Sequence, residues 1–482
     1  MNSHLKNLEP KIFWKHFSKI LEIPHDSGQE SKLAAYVLEI AAKQKLKTHH
    51  DQTGNLIVFK PAAIGQDNKP TVILQSHLDM VCEKRPSSNH NFTKDAIKTE
   101  IKDGWLTAKD TTLGADNGIG LAILLSLMET KTSQLGSLEL VFTVKEETTM
   151  EGAKHLATNL LRGHYLINFD GPKIDTITIG SCGARDVDIA LPITRSKPSH
   201  NQIYQLSITG LHGGHSGTDI HRPRINAIKM IFELLQPHQN QIELLDIAGG
   251  NARNAIPHFC NCLFGISNTQ THLIDRINEQ LIIIKNNWQR FEPDISIDLI
   301  KTSSKILPLT PDCLANLFGL IGDIPQGALA YHHDMPEVVL TSNNLGKISM
   351  TGDQVSITNF PRSFELYELN KLTEKIEKIA KQHGGQTIIG HTEPAWPINT
   401  SSPFAKHAKK AFQELFGYPA SLTAMHAGLE CGIWGQTIPN INMISIGATG
   451  EGFHSPDERL KISTIPMLWD WVLRILKTIN EL

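Results

Sequence analysis

The sequence predicts an α/β protein, and three observations carry that expectation. Short β-branched runs alternate with helical stretches through the first third of the chain, the pattern of a mostly parallel central sheet flanked by helices. Near residue 186 the order changes to alternating strands mixed with helices, as in an α+β domain with partly exposed sheets. The last stretch, 392–482, returns to helix, strand, helix and is too short to stand alone. A chain of 482 residues suggests about three folding units at roughly 150 residues each, or two with one interrupted. Residues 1–185 and 392–482 are therefore expected to form one domain, interrupted by a second over 186–391.

The elements follow in order. Ser31–Lys43 (SKLAAYVLEIAAK) places its apolar residues at helical spacing. Asn55–Lys60 and Thr71–Gln75 read as strands, the second apolar enough to be buried on both faces. Gly118–Glu129 is a helix without a polar face, and Leu138–Val144 a further strand. Lys154–Leu161 is expected to be helical and His164–Phe169 extended. In the middle region, strands are expected at Val187–Ile193, Ile203–Thr209, 242–247, 259–266, 295–301, 347–351 and 354–358, with helices at Ile225–Leu235, 271–288 and 364–383. Pro403–Phe416, Asn442–Ile446 and Ile465–Ile479 complete the chain as helix, strand and helix.

Composition narrows the function classes. With 46 Lys and Arg against 49 Asp and Glu, no electrostatic reason exists to expect nucleic acid or an anionic membrane as partner. Six cysteines without a CxxC pair fit free thiols in a reducing compartment. The start of the chain lacks the order of a signal peptide. The most apolar stretch, Ile119–Met128, is half the roughly 20 residues a bilayer span needs. A soluble, cytoplasmic protein is expected. The 23 histidines are the one unusual count.

In a parallel sheet, ligands bind beyond the carboxyl ends of the strands. After Thr71–Gln75 stand His77 and Asp79; Asp116 opens the apolar helix; Glu146 and Glu147 follow Leu138–Val144; Asp170 follows His164–Phe169; and His454 follows Asn442–Ile446. Singly each has an ordinary reading: Asp116 is a plausible helix cap, Glu146-Glu147 a solvated turn, Asp170-Gly171 a common turn. Together, two imidazoles and several carboxylates at five strand ends suit a borderline divalent ion such as zinc, cobalt or manganese. The donors suffice for two ions, one carboxylate bridging, and a pair about 3.5–4 Å apart can polarise a carbonyl and activate water. The Gly-rich GADNGIG lacks the Lys-Ser/Thr of a phosphate loop and the GxGxxG order, which removes the case for a nucleotide.

At these residues the chain resembles the co-catalytic zinc metallopeptidases of the carboxypeptidase G2, tripeptidase and acylase group, and within it the aminoacyl-histidine dipeptidase branch. The motifs are SHLDMV (76–81), TLGADNGIG (112–120), KEETTMEGA (145–153), NFDG (168–171), GLHGGHSG (210–217), GGNARNAIP (249–257), PRS (361–363), HAGLECG (426–432) and the His454 loop. Their order over most of the chain makes the set specific where each alone is not.

The resemblance implies a catalytic domain made of 1–185 and 392–482, with 186–391 as a lid. It implies that two divalent ions per subunit are bound, zinc foremost: His77 and Asp170 on one, Glu147 and His454 on the other, Asp116 bridging across a cis peptide to Asn117. Glu146 would be the general base and Asp79 would orient His77. His215 would steady the oxyanion, and Asn254 and Arg362 the substrate's terminal carboxylate. His426 and Glu430 lie in a motif without an assigned role; a contact to a ligating side chain, to the substrate amine, or a structural hydrogen bond all stay open. The implied activity is hydrolysis of dipeptides with free termini, Xaa-His included, by a homodimer. Tripeptidase, carboxypeptidase and N-acyl-amino-acid deacylase activities are the near alternatives. A catalytically inactive binding protein is the remote one, and it gives no reason for Glu146 and five ligands to be present.

Overall fold

The structure, a computed structural model, describes residues 2–131, 133–267 and 271–482. The chain packs as two compact units. The first comprises Met1–Ser181, Trp396–Ala424 and Leu429–Leu482; the second comprises Cys182–Ala395 and Met425–Gly428.

The first unit is built on an eight-stranded sheet. Its order is Lys47–His50, Leu56–Lys60, Leu138–Thr143, Val72–His77, Tyr165–Asn168, Asn442–Ser445, Thr176–Ser181 and Ser421–Met425. The four central strands, from Leu138–Thr143 to Asn442–Ser445, run parallel. Leu56–Lys60 on one side and Thr176–Ser181 on the other run antiparallel to them. Val72–His77 is buried at every position, as a strand between two parallel neighbours should be. Register sets the strand ends level: His77 lies opposite Thr143 and Gln75 opposite Asn168. The loops that follow these strands therefore start from one edge of the sheet.

Helix Ala115–Glu129 is buried along nearly its whole length, with Leu121, Ile123, Leu124, Leu125 and Leu127 inaccessible to solvent. A sequence apolar on all sides takes that position because no face prefers water. Helix Lys11–Ile20 buries Phe13, Trp14 and Phe17, which pack edge to face and stacked at centroid distances of 5.1–5.7 Å. A small sheet, Gly450–Glu451, Arg459–Lys461, Trp105–Ala108 and Thr99–Lys102, holds the loop that carries His454 between its first two strands. The helix expected over Lys154–Leu161 forms earlier and shorter, at Glu151–His155, followed by a single 3₁₀ turn at Thr158–Leu160. Gly152 lies so close to Val144 that a β-carbon there would stand 2.5 Å from the Val144 carbonyl oxygen. The first turn of that helix is held against the end of the preceding strand, where the Gly152 amide donates to the Val144 carbonyl at 3.1 Å.

The second unit is a nine-stranded antiparallel sheet. Helices Ala227–Leu235, Thr271–Trp288, Pro311–Asp323 and Leu366–Gln382 bury their apolar residues in one core with it. Cys260 and Cys262, two apart on a strand, both point into that core. The stretches expected as separate strands at 347–351 and 354–358 are the inner halves of a long hairpin, Val339–Thr351 with Gln354–Ser363. Among the described residues no helix is long and apolar enough to cross a membrane.

Candidate metal centre

The first unit gathers every one of its predicted site residues at the level strand ends. Asp79, buried beneath, organises them. Its Oδ1 accepts from the Glu146 amide at 3.0 Å, and its Oδ2 from the Glu147 amide at 3.1 Å and the Ser27 hydroxyl at 2.7 Å. The Glu146-Glu147 turn is thereby bolted to the loop after His77. His77 donates Nδ1–H to the Asp79 carbonyl at 3.0 Å, which leaves Nε2 facing outward, 3.0 Å from Asp116 Oδ1. That is the tautomer a ligating imidazole needs.

Asp116 stands between two histidines. Oδ1 faces His77 and Oδ2 faces His454 Nε2 at 3.4 Å, while His454 Nε2 is also 3.1 Å from Glu147 Oε2. Two donor triads result, His77 with Asp116 and Asp170, and Asp116 with Glu147 and His454; within each, the donor atoms lie within 4.8 Å of one another. Asp116 belongs to both. A third grouping, His77 with Glu146 and Glu147, puts Glu146 against the same cluster.

Burial and crowding show in the titration of these groups. Burial, then the charges of Glu147, Asp170 and Glu430, pushes the Glu146 carboxyl well up. Burial, then Asp116, raises Asp170. For His454 burial is outweighed by the bonds to Asp116 and Glu147, which lift it to about 11. For Asp116 burial is likewise outweighed, by His454 and His77, and it stays low. Four partly buried acids face two imidazoles, and among the described residues no Lys or Arg pairs with any of them. Glu147 Oε1 is buried without a hydrogen bond. A donor set with excess negative charge and an orphaned carboxylate oxygen fits divalent cations.

The backbone supports this arrangement. The Asp116–Asn117 peptide is cis, and Asn117 is tied by Ser76 Oγ to its carbonyl and side-chain oxygens at 3.1 and 3.0 Å. Sequence reasoning missed Glu458. Its buried carboxylate accepts from the amides of Leu113, Gly114, Ala115 and Asp116 at 2.7–3.3 Å. Burial, against the pull of those amides, lifts it to about 7. Its position four residues after His454 is the signal that could have found it, since one loop then supplies both a candidate donor and the brace of the aspartate common to both triads.

Glu430 opens helix Glu430–Thr437 and lies buried behind the site. Its Oε2 accepts from Gln75 Nε2 and from Thr143 Oγ1, the latter at 2.9 Å. Burial raises this carboxyl to about 7, and as a carboxylate it accepts both donors at Oε2.

The remaining predicted residues lie in the second unit. His215 Nδ1 accepts from the amides of Gly217 and Thr218 at 3.2 Å, and the His215 amide donates to Asp219. Ser216 N bonds to the Asn254 carbonyl at 2.8 Å, so His215 and Asn254 sit on paired loops. Arg362 is buried over the Phe360 ring, 4.5 Å from its centroid, with Nε unpartnered and Cys182 Sγ 3.9 Å away. His426 bonds Ser342 Oγ through Nε2 at 2.7 Å; burial, then Arg362, holds it down at about 3. Ser342 lies opposite Arg362 in the hairpin register.

Residues 73–478 match the model of "Peptidase family M20/M25/M40". The cytosol non-specific dipeptidase of Escherichia coli is 33% identical over 481 residues, 99% of each chain. The crystal structure of aminoacylhistidine dipeptidase from Vibrio alginolyticus superposes with a TM-score of 0.85 at 33% identity, covering 99% of this chain and 98% of that one. An aminopeptidase from Bacillus cereus shares the fold, with a TM-score of 0.63 at 16% identity over 98% and 99% of the two chains. The chain belongs to peptidase family M20/M25/M40.

Proposed function

We propose that the protein is a metallo-dipeptidase acting on dipeptides with free N- and C-termini, Xaa-His among them. The observation that carries this is the pair of donor triads sharing Asp116, with Glu146 beside them. The near-full-length likeness to a cytosol non-specific dipeptidase and an aminoacylhistidine dipeptidase supports the substrate class.

His77 and Asp170 would hold one ion, Glu147 and His454 the other, and Asp116 both; zinc suits the donors best, with cobalt and manganese compatible. Two such ions, when bound, polarise the scissile carbonyl and acidify water. Glu146 takes the proton from the attacking water and returns it to the leaving amine. Asp79 holds His77 in its ligating tautomer and the Glu146 turn in place. His215 donates to the developing oxyanion, and Asn254 and Arg362 take the terminal carboxylate, for which a buried guanidinium without a carboxylate partner among the described residues is suited. The second unit acts as a lid over the substrate. The cytoplasm suits the free thiols, and a homodimer would cover Ile282, Ile283 and Ile300, exposed on helix Thr271–Trp288 and the edge strand Ser296–Thr302.

The test is metal analysis coupled to a substrate panel of β-alanyl-histidine and other dipeptides, tripeptides and N-acetyl amino acids. Dipeptide turnover restored by divalent ions is expected. A preference for N-blocked substrates would sink the dipeptidase reading. Glu146→Gln should lower kcat about 10²–10⁴-fold, the range for losing a general acid–base group, with both ions still bound. Unchanged turnover would remove Glu146 from the chemistry.

A further inference from the structure

Three adjacent parallel strands each place a polar side chain inside the first unit, just behind the candidate metal centre. Gln75, Thr143 and Asn168 are all buried. Polar groups in such a place must be satisfied, and here they bond to one another in a line. Glu430 Oε2 accepts from Gln75 Nε2 and Thr143 Oγ1. Gln75 Oε1 accepts from Asn168 Nδ2 at 2.6 Å, and Asn168 Oδ1 accepts from the Asp170 amide at 3.1 Å.

An amide side chain carries a donor at one end of its fork and an acceptor at the other, so a row of amides can point either way. A carboxylate oxygen that takes two hydrogen bonds points only one way. We infer that Glu430 is a positioning residue that sets the direction of the Gln75–Asn168 relay, so that the line ends on an acceptor for the Asp170 amide. This rests on the reading of Asp170 as a metal ligand.

The other oxygen, Glu430 Oε1, is buried without a partner, and this makes the consequence of Glu430→Gln specific. The new NH2 group would be stranded at the Oε1 position but satisfied at the Oε2 position, against Thr143 and a turned Gln75. The substituted side chain would therefore turn Gln75, Gln75 would turn Asn168, and a donor would face the Asp170 amide. The conflict is passed along the relay and lands on one ligand of one ion.

The experiment is titration of the full-length, chelator-stripped protein with Co²⁺, followed by calorimetry and visible absorption. Asp170→Asn marks the binding step that depends on Asp170. Glu430→Gln should weaken that same step about tenfold or more, the scale of losses seen when groups behind a ligand are altered, and leave the other within about twofold. A double variant that combines Gln75→Glu with Glu430→Gln restores the direction, because the carboxylate now at position 75 accepts both from the amide at position 430 and from Asn168. It should return both steps to wild-type affinity. Two unchanged steps in Glu430→Gln, an equal loss in both, or no recovery in the double variant would each overturn the inference. If the single variant does not fold, the double variant decides alone: wild-type affinity supports the relay and weakened binding refutes it. Wild-type protein that binds no ion would overturn the metallopeptidase reading, and this inference with it.

Discussion

A carboxylate that accepts four backbone amides has little freedom, and Glu458 lends that rigidity to Asp116. Glutamine at 458 keeps one acceptor and turns an NH2 group toward N–H donors. Leaving buried donors unsatisfied costs about 1–3 kcal/mol. On the proposal that Asp116 serves both ions, Glu458→Gln should lower the denaturation midpoint and reduce metal affinity at both. Wild-type affinity in a destabilised Glu458→Gln would confine the residue to a structural role. The contrast with Glu430, whose line ends on Asp170 alone, is a contrast between an aspartate common to two donor triads and one that belongs to a single triad. At this scale the donors are legible because histidines and acids directly after apolar strands are conspicuous. Their braces are not. Glu458 sits in a charged run, SPDER, that reads as a solvated turn, and nothing local says its carboxylate folds back on residues more than three hundred positions earlier. Glu430 stands out only through its motif, because the polarity of an amide relay is a property of neighbours on three strands.

Helix Ala115–Glu129 shows how an element carries chemistry to the sheet edge. Its first turn approaches Ser76 and Phe169 so closely that a β-carbon on Gly120 would lie 2.6 Å from Phe169 Cβ and 2.7 Å from Ser76 Oγ, and closer still to Asn117 Oδ1. Phe169 Cβ is fixed to its backbone, and Ser76 Oγ and Asn117 Oδ1 are held by the hydrogen bond between them. Gly120→Ala should therefore push the helix start off the sheet, at about 1–3 kcal/mol for overpacking, and displace Asp116 with it. Urea unfolding and metal content measured together check this; an alanine variant with normal stability and two ions would show that the contact gives way. The helix is readable because ten consecutive residues lack a polar face. Elements at the edges are harder. Lys47–His50 is the polar run KTHH with three of four residues exposed, so no alternation marks it. Val339–Thr351 is legible only over its last residues, because its buried middle includes Asn343 and Asn344, which satisfy backbone carbonyls at Pro325, Arg253 and Ala255. Polar residues placed for such long-range bonds break the apolar pattern from which strands are inferred.

Across the molecule, the histidine count turns from a question about the site into one about stability. Among the described residues only His77 and His454 stand in the candidate donor groups; several of the others are buried in the folded chain, among them His16, His25, His238 and His407. His16 shows what that does. It lies wholly inside, bonded to Tyr36 Oη at 2.8 Å and Glu129 Oε2 at 3.1 Å. Burial first, and Lys15 in addition, lowers it from 6.5 to about 4 in spite of Glu129. His25, His238 and His407 are lowered by burial as well. A histidine held neutral in the fold but free to protonate when unfolded adds stability that is complete above the unfolded value near 6.5. It is lost as pH falls from there toward the folded value, because the unfolded chain then binds more protons. For His16 that window runs from about pH 6.5 to pH 4, and the loss approaches about 3 kcal/mol at 1.36 kcal/mol per unit. Urea unfolding in chelator at several pH values, on wild type and His16→Gln, isolates this contribution, since every other group titrates in both proteins. The wild-type stability should fall more steeply with acid across the window, by up to about 1.4 kcal/mol per pH unit, one proton's worth. Parallel curves for the two proteins would mean that His16 protonates as easily in the fold as outside it.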